Sequence, residues 1–204
     1  MPRIRAATID EHRSLTRSAL LSAARELIKD EGTADIAPAA VALLAGIGRT
    51  TLYDYFTDRD DLIASLVEEE LPHVLEALIS GTPENLSAVE RLAQLAVRTV
   101  EFVADDRVFG VILHRDVGRM SPEAQERVRT AHSSLATELT GLYMKGVGSG
   151  QLRAMPPRVA GQLIGDVLMA GARLLIDGAA DRDEVGLHVR EFLLGGLGYV
   201  PFKE

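Results

Sequence analysis

Apolar residues recur at every third or fourth position through most of the 204-residue chain, and strict alternation of apolar and polar residues is absent. The first period is typical of amphipathic helices, whereas alternation is typical of strands. Aromatic residues, which are enriched in strands, make up only 4% of the chain. The pattern therefore predicts an all-α protein. Its clearest apolar stripe consists of Val89, Leu92, Ala93, Ala96, Val97, Val100 and Val103.

Glycine, proline and capping residues set the expected helix boundaries. Gly32 stops the first helix, Pro38 suits the first turn of the second, and Ser121 can cap a later one. Pro72 is expected to interrupt the fourth helix. About nine helices are predicted, over approximately residues 14–31, 38–45, 49–56, 59–71, 89–103, 107–119, 122–146, 157–177 and 183–195.

The second and third predicted helices are separated by a tight turn, Gly46-Ile47-Gly48. Two short helices joined in this way have the layout of a helix-turn-helix, whose second helix can enter the DNA major groove. The guanidinium, hydroxyl and methyl groups of that helix suit phosphates and base edges. Its exposed side chains are expected to be Arg49, Thr50, Thr51, Tyr53 and Tyr55.

The net charge of −8 is unusual for a DNA-binding protein, so the distribution of charge along the chain matters. Residues 1–60 hold 8 of the 22 basic and 9 of the 30 acidic residues, which leaves 14 and 21 for the remainder. Five arginines between Arg3 and Arg25 are accompanied only by Asp10 and Glu11. This local basic strip suffices for contacts with phosphates, and the acidic remainder would orient the molecule on DNA by repulsion.

The sequence offers no catalytic or metal-binding constellation. It has no cysteine, so disulfides and zinc–thiolate sites are excluded. Its five histidines lack paired ligand spacing, and no Ser-His-Asp arrangement is discernible. The glycine run at 146–150 lacks the GK[ST] ending of a phosphate loop and is interpreted as a helix end. We therefore expect neither an enzyme nor a bound metal or cofactor.

Residues 1–18 and the apolar runs of the chain predict where the protein resides. Residues 1–18 are polar and basic and do not resemble a secretion signal. No apolar run is expected to reach the roughly 18–20 residues needed to span a bilayer, because Arg173 and Asp177 interrupt the longest candidate. We therefore expect a cytoplasmic protein that is not inserted in a membrane.

Three segments together resemble a known family: AARELIKDEG at 23–32, VALLAGIGRTTLYDYF at 41–56 and DRDDL at 58–62. Their order and spacing are similar to the DNA-binding segment of the TetR family of bacterial transcriptional repressors. The LYxYF pattern of the third helix is the most specific element, and the match covers about residues 13–67. The glycine run followed by QLR and two prolines is similar to a loop of the same family.

The resemblance implies an N-terminal three-helix DNA-binding domain at 1–60 and a C-terminal helical domain at 61–204 for effector binding and dimerisation. It implies a homodimer whose last two helices pack against their twins as a four-helix bundle. Each subunit would place one helix-turn-helix in successive major grooves of a near-palindromic double-stranded operator. A small-molecule effector of unknown identity would release the DNA. An activator of the same family, or a helical carrier or enzyme with a coincidental helix-turn-helix, is the alternative.

The resemblance also implies roles for individual residues. Three side chains fall on groove-facing positions: Arg49, Thr50 and Thr51. Three fall on positions that contact phosphates: Tyr53, Tyr55 and Arg59. At the position of Arg59 a lysine is usual in the family. From their place near the start of the first helix, Arg13 and Arg17 are either further backbone contacts or solvated surface residues.

Each of these assignments has a structural alternative. The three aromatic residues Tyr53, Tyr55 and Phe56 could form a small core, which we expect of Phe56 but not of the two phenol tips. Arg49 could be a solvated arginine, but a bidentate contact to guanine is favoured. The family's capping Ser or Thr is replaced by Ala37, and a base-contacting basic residue of some members by Ala39. The second helix should therefore contribute little hydrogen bonding to DNA.

An effector pocket is expected where the helices of the C-terminal part converge. Its candidate residues, most of which could equally be core, are Phe102, Phe109, His114, Leu139, Tyr143 and Met169. His114 belongs to a polar cluster for which an internal network is the favoured role. Arg173 could fix a carboxylate of an effector, although an ion pair with Asp177 one turn later is favoured.

Overall fold

The computed structural model describes the backbone of residues 3–200 and the side chains of residues 10–200. Over this range the chain is helical and has no strand, which confirms the all-α prediction. The α-helices are α1 Arg3–Glu31, α2 Pro38–Leu44, α3 Arg49–Tyr53, α4 Arg59–Ser80, α5 Ala88–Asp105, α6 Arg107–Val111, α7 Pro122–Ala131, α8 Ser133–Gly148, α9 Pro157–Ile176 and α10 Arg182–Gly196.

The chain forms two compact units. The first takes in the residues up to Glu69 together with Val111–Val128, and the second takes in Glu70–Gly110 and the residues from Arg129 onward. The first unit therefore contains α1, α2 and α3, and three helices, α4, α6 and α7, contribute residues to both. Among the side chains at the centre of the first unit, those with no exposed surface include Leu20, Ala24, Ile28, Val41 and Leu52.

In the second unit α5 packs against α8, α9 and α10. Six of the seven residues of the predicted apolar stripe are buried on α5, and only Val97 is half-buried. A capping box fixes the start of this helix, because Ser87 accepts the N–H of Glu90 and Glu90 accepts the N–H of Ser87. Gly171 of α9 permits close packing, since a Cβ there would lie 2.6 Å from the side chain of Val189.

Several helix boundaries differ from the prediction. α1 begins at Arg3 rather than near residue 14; its early residues lack an apolar period but include no glycine or proline to stop a helix. The side chains of Arg3 and Arg5, which belong to the basic strip, lie outside the described residues. The single helix predicted over 122–146 is divided at His132 into α7 and α8, and no glycine or proline marks the break.

The predicted interruption at Pro72 is wrong, because α4 continues through it to Ser80. A proline inside a helix costs about 3 kcal/mol, since it removes a hydrogen bond and crowds the preceding turn. Leu71 and Leu75, on either side of the proline, are 0% and 2% exposed. Burying each leucine is worth about 1.5–3 kcal/mol, which is enough to offset the proline.

The segment predicted as one helix over 107–119 changes its winding twice. α6 passes into a π-helix over Ile112–Asp116 and then into a 3-10 helix over Val117–Arg119. π-helical turns are rare and are frequently found at functional positions. Here the altered winding accompanies a buried carboxylate, that of Asp116, whose contacts are described below.

α9 is long and apolar enough, by length and composition, to cross a membrane, with a mean hydropathy of 1.5, whereas the sequence predicted no such segment. Only 28% of the most apolar 18-residue stretch of this helix is buried inside the protein. The helix also carries Asp166, which accepts a hydrogen bond from Gln162, and an exposed Arg173. One such helix is weak evidence for a membrane protein, because core and interface helices have the same composition.

The turn between α2 and α3 depends on Gly46, whose φ of +68° lies in the left-handed region. Nothing lies within 4 Å of a Cβ built there, so the cost of a side chain is that of the backbone alone. We expect Gly46→Ala to lower the free energy of unfolding by about 1–2 kcal/mol. Gly141→Ala, which has equal room inside α8, should raise it by up to about 1 kcal/mol.

Urea denaturation of the two variants measures this difference directly. The same chemical change should move the unfolding midpoint in opposite directions, because only one of the glycines has positive φ. Equal midpoints for both variants would show that the turn does not constrain α2 and α3 in the folded state.

Candidate nucleic-acid interface

Buried residues on α2 and α3 fix the outward direction of the third helix. Val41 and Leu52 have no exposed surface, and Phe56, just beyond α3, is 1% exposed. With that face buried, Arg49 and Thr50 are exposed and Thr51 is half-buried. α3 ends at Tyr53 rather than at Phe56 as predicted, and the next residues continue in a turn. The start of α3 therefore presents a guanidinium and two hydroxyls to the outside.

Two arginines of the candidate site lie against tyrosine rings. The guanidinium of Arg49 is 6.0 Å from the ring centre of Tyr53, and that of Arg13 is 5.5 Å from the ring centre of Tyr55. Tyr53 is 44% exposed, and Tyr55 is half-buried. The two tyrosines are thus not core residues like Phe56, and each holds a cation near the surface through the negative face of its ring.

The other two arginines are paired with carboxylates. Arg17, whose guanidinium lies 5.7 Å from the ring centre of Phe56, is bonded to Glu69. Arg59 donates to Asp60 at 2.8 and 3.0 Å and to Asp35. The hydrogen bond to Asp60, followed by the attraction of both carboxylates, raises the pKa of Arg59. Sequence alone gave no sign of the Asp35 and Glu69 contacts, because their partners are distant in the chain.

A fifth arginine, which the sequence did not single out, ties α7 to α4 within the first unit. Arg127 donates to Asp61 at 2.7 Å, to Ser65 at 2.9 Å and to Glu68 at 2.6 and 2.9 Å. Partial burial acts to raise the pKa of Asp61, but the bonds from Arg127 and Thr57 outweigh it and hold the pKa below 3.8. The bond from Arg127 likewise lowers the pKa of Glu68 below 4.5.

Carboxylates also bind backbone N–H groups on both sides of the helix-turn-helix. The buried carboxylate of Asp116 accepts the N–H of Ala34, before α2, at 2.7 Å. Asp60, after α3, accepts the N–H of Ser121 at 2.7 Å. The guanidinium of Arg115 donates to the carbonyl of Gly32 at 3.2 Å. Residues 115–127 therefore hold both ends of the segment that carries α2 and α3.

We expect Arg127→Met to lower the free energy of unfolding by about 1 kcal/mol near pH 7, since the pairs are partly exposed and screened by solvent. A lowered carboxylate pKa gives stability that is present above the ordinary value and lost as the pH falls through the folded one. The difference from the unmodified chain should therefore be constant above about pH 5 and shrink as the pH falls below the ordinary values of 3.8 and 4.5.

Urea unfolding at pH 7 and pH 3 tests this expectation. Lys29→Met, which removes an exposed cation of the same unit, is the matched control and should show little change at either pH. If Arg127→Met lowers the free energy of unfolding as much at pH 3 as at pH 7, the stabilisation by Arg127 does not depend on ionised carboxylates.

Comparison with known proteins agrees with this arrangement. Residues 20–66 match the family of bacterial regulatory proteins of the tetR type, and residues 85–197 match the tetracyclin repressor-like C-terminal domain. The second match covers more than half of the chain. The chain belongs to the TetR family. It is a helix-turn-helix transcriptional regulator, as the sequence resemblance implied.

Individual members of the TetR family share the fold with this chain at low identity. The fatty acid metabolism regulator protein of Bacillus subtilis (strain 168) is 23% identical over 146 residues, which are 71% of this chain and 75% of that protein. The structure of FadR from Bacillus subtilis in complex with stearoyl-CoA has a TM-score of 0.75 at 22% identity, and the match covers 88% of this chain and 98% of that one. RolR in complex with resorcinol has a TM-score of 0.71 at 21% identity, covering 93% and 91%.

The residues predicted for the effector pocket of this TetR-family chain occupy different surroundings. Phe109 and Tyr143 are fully buried, and Leu139 is 6% exposed. Phe102 is half-buried, with its ring centre 5.9 Å from that of Phe109. The hydroxyl of Tyr143 accepts the N–H of Met155 and donates to the carbonyl of Arg153, both at 2.9 Å. Phe109, Leu139 and Tyr143 therefore belong to the core of the second unit, and Phe102 lies beside it.

The remaining pocket candidates lie elsewhere. His114 is half-buried in the π-helix and belongs to the first unit. Met169 and Arg173 are on the exposed face of α9. Arg173 and Asp177, both within the described range, form no ion pair with each other, which corrects the favoured expectation. The structure therefore brings Phe102 and Phe109 together but does not bring Met169 and Arg173 to the core.

An apolar groove that the sequence did not single out runs between α9 and α10. It has a volume of about 790 Å³, and its lining includes Val167, Leu174, Val185 and Phe192. Phe192 is 71% exposed, and it also lines a smaller groove of about 320 Å³ together with Leu163. Such a continuous apolar surface is typical of a contact with another protein chain.

Proposed function

We propose that the chain is a homodimeric repressor that binds a near-palindromic DNA operator and leaves it when a small-molecule effector binds. In this proposal residues 1–60 bind DNA, and residues 61–204 bind the effector and form the dimer. The observation that carries it is the exposed start of α3, with Arg49 and Thr50 outward on a helix whose opposite face is buried through Leu52.

The same side chains receive distinct roles on DNA. Arg49, Thr50 and Thr51 contact base edges in the major groove, where a guanidinium can bind guanine in a bidentate manner. Phosphates are contacted by Tyr53, Tyr55, Arg59, Arg13 and Arg17, which supply hydroxyls and positive charge without sequence information. The exposure of Tyr53 and the surface position of Arg13 over Tyr55 support this division.

The exposed apolar face of α9 and α10 supports a second copy of the chain as its occupant. Leu163 and Leu174 on α9, with Phe192 on α10, are 51%, 46% and 71% exposed. Two such faces would pack as a four-helix bundle, which buries apolar surface that a monomer leaves in water. This arrangement also accounts for the membrane-like composition of α9 in a cytoplasmic protein.

Release by the effector follows from the need for two DNA-binding heads at a fixed spacing. The two α3 helices must lie about one helical turn apart, ~34–36 Å, to bind successive grooves together. An effector that binds one conformation of the dimer better than the other shifts the population by its differential affinity. α4, which contributes residues to both units, is the element that would transmit the change.

Selection of bound duplexes from a random-sequence DNA pool tests the proposal. A regulator of this kind should retain duplexes with a near-palindromic sequence, and log K should fall steeply with log salt concentration. A helical carrier or enzyme would retain none of the pool. Stearoyl-CoA, the ligand of the FadR structure, is the first effector to add to the complex, with resorcinol, the ligand of RolR, as its comparison.

A further inference from the structure

The charge of the first unit is unexpected for a DNA-binding unit. Residues 1–69 and 111–128, the two stretches of that unit, hold 11 basic and 15 acidic residues. Non-specific binding to DNA is almost entirely electrostatic, so each cation that is neutralised within the protein lowers the non-specific affinity. Which carboxylates neutralise which cations therefore bears directly on DNA binding.

Two carboxylates lie on the arginines proposed to contact phosphates. Glu69 binds Arg17, and Asp35 binds Arg59. The side chain of Asp35 is 78% exposed and that of Glu69 is 42% exposed. Exposed ion pairs of this kind are weak, because water competes for both partners. A DNA phosphate, which offers the same pair of anionic oxygens to a guanidinium, can therefore take the place of either carboxylate.

Each arginine has a second contact that keeps it in position when the carboxylate is replaced. Arg59 remains bonded to Asp60, whose other oxygen accepts the N–H of Ser121 at 2.7 Å. Arg17 remains over the ring of Phe56 at 5.7 Å. Asp60 and Phe56 thus hold the two guanidiniums in place, whereas Asp35 and Glu69 are the partners that can exchange.

We propose that Asp35 and Glu69 are internal phosphate mimics, which occupy Arg59 and Arg17 in the DNA-free protein and restrain its binding to DNA in general. This inference rests on the proposed function, since it takes both arginines as phosphate contacts. On an arbitrary sequence, DNA must displace both carboxylates without the compensating base contacts of α3. On the operator those contacts are made and compensate for a displacement cost that lowers the affinity for every sequence alike.

The test uses the full-length protein and a labelled 30-base-pair duplex of random sequence, with affinity measured by fluorescence anisotropy between 50 and 200 mM NaCl. Asp35→Asn and Glu69→Gln should each raise the affinity by about two- to fivefold. Each freed guanidinium should also make the slope of log K against log salt concentration more negative by about 1 for each bound DNA-binding unit. Glu26→Gln, an exposed residue of α1 with the same change of charge, is the matched control.

The outcomes separate this inference from the proposed function. If Arg17→Ala and Arg59→Ala weaken binding while Asp35→Asn and Glu69→Gln bind like the Glu26→Gln control, the mimics are refuted and the phosphate contacts stand. If neither arginine variant weakens binding, both the phosphate contacts of the arginines and the role of Asp35 and Glu69 as phosphate mimics are refuted. Circular dichroism of each variant establishes that the helices are intact, and the carboxylate variants are predicted to gain affinity, which misfolding does not produce.

Discussion

Phe192→Glu is expected to convert the proposed dimer to a monomer and to weaken operator binding at least about 100-fold. In one protomer Phe192 is 71% exposed and lines both grooves on the α9–α10 face. The substitution therefore leaves the fold of the protomer undisturbed, but it places a carboxylate where the second copy would bury an aromatic ring. Burial of an unpaired charge is strongly unfavourable. Without the dimer, each head binds a single half-site.

Sedimentation equilibrium and DNA binding measure the two effects on the same sample. The control is Met144→Glu, which adds the same charge at an exposed residue of α8 that lines neither groove. It should remain dimeric and bind DNA normally. A dimeric Phe192→Glu protein with full DNA affinity would place the interface elsewhere on the molecule.

Arg49→Ala is expected to remove discrimination at one base pair of each half-site, by about 1–3 kcal/mol. Arg49 stands at the first position of α3, exposed and 6.0 Å from the ring centre of Tyr53, which positions its planar guanidinium without burying it. Arg49→Lys should recover little of the loss, because an ammonium cannot make the bidentate contact.

Binding to a set of single-substituted operator duplexes checks this assignment. Arg49→Ala should abolish the preference for one base at a single operator position and keep the base preferences at the other positions. Arg59→Ala should weaken binding to all sequences alike. The reverse pattern would exchange the roles of these two arginines.

The helix-turn-helix could be predicted from sequence because its determinants are local. Gly46 supplies a positive φ, and Leu52 and Phe56 form the buried face within a few residues of the exposed Arg49. The stripe on α5 is equally local. Pro72 was mispredicted for the opposite reason: the burial of Leu71 and Leu75 depends on tertiary packing and overrides the local preference of proline.

The polar contacts of the first unit could not be predicted from sequence. Asp116 and Ala34 are 82 residues apart, and Arg127 and Asp61 are 66 apart. No periodicity links such partners, and a single arginine on a short helix looks like any solvated cation. The π-helix is also invisible in the sequence, since one extra residue in a turn leaves the composition unchanged. Sequence also does not distinguish an apolar helix face in a core from one at an interface, and Met169, a predicted pocket residue, is 37% exposed on α9.

Hydroxyl-radical footprinting on a duplex selected from the random pool tests most directly whether two outward α3 helices bind DNA side by side. Our expectation is two protected patches on one face of the duplex, centred about 10–10.5 base pairs apart, with two protein chains per duplex. A single protected patch, or one chain per duplex at saturation, would contradict it.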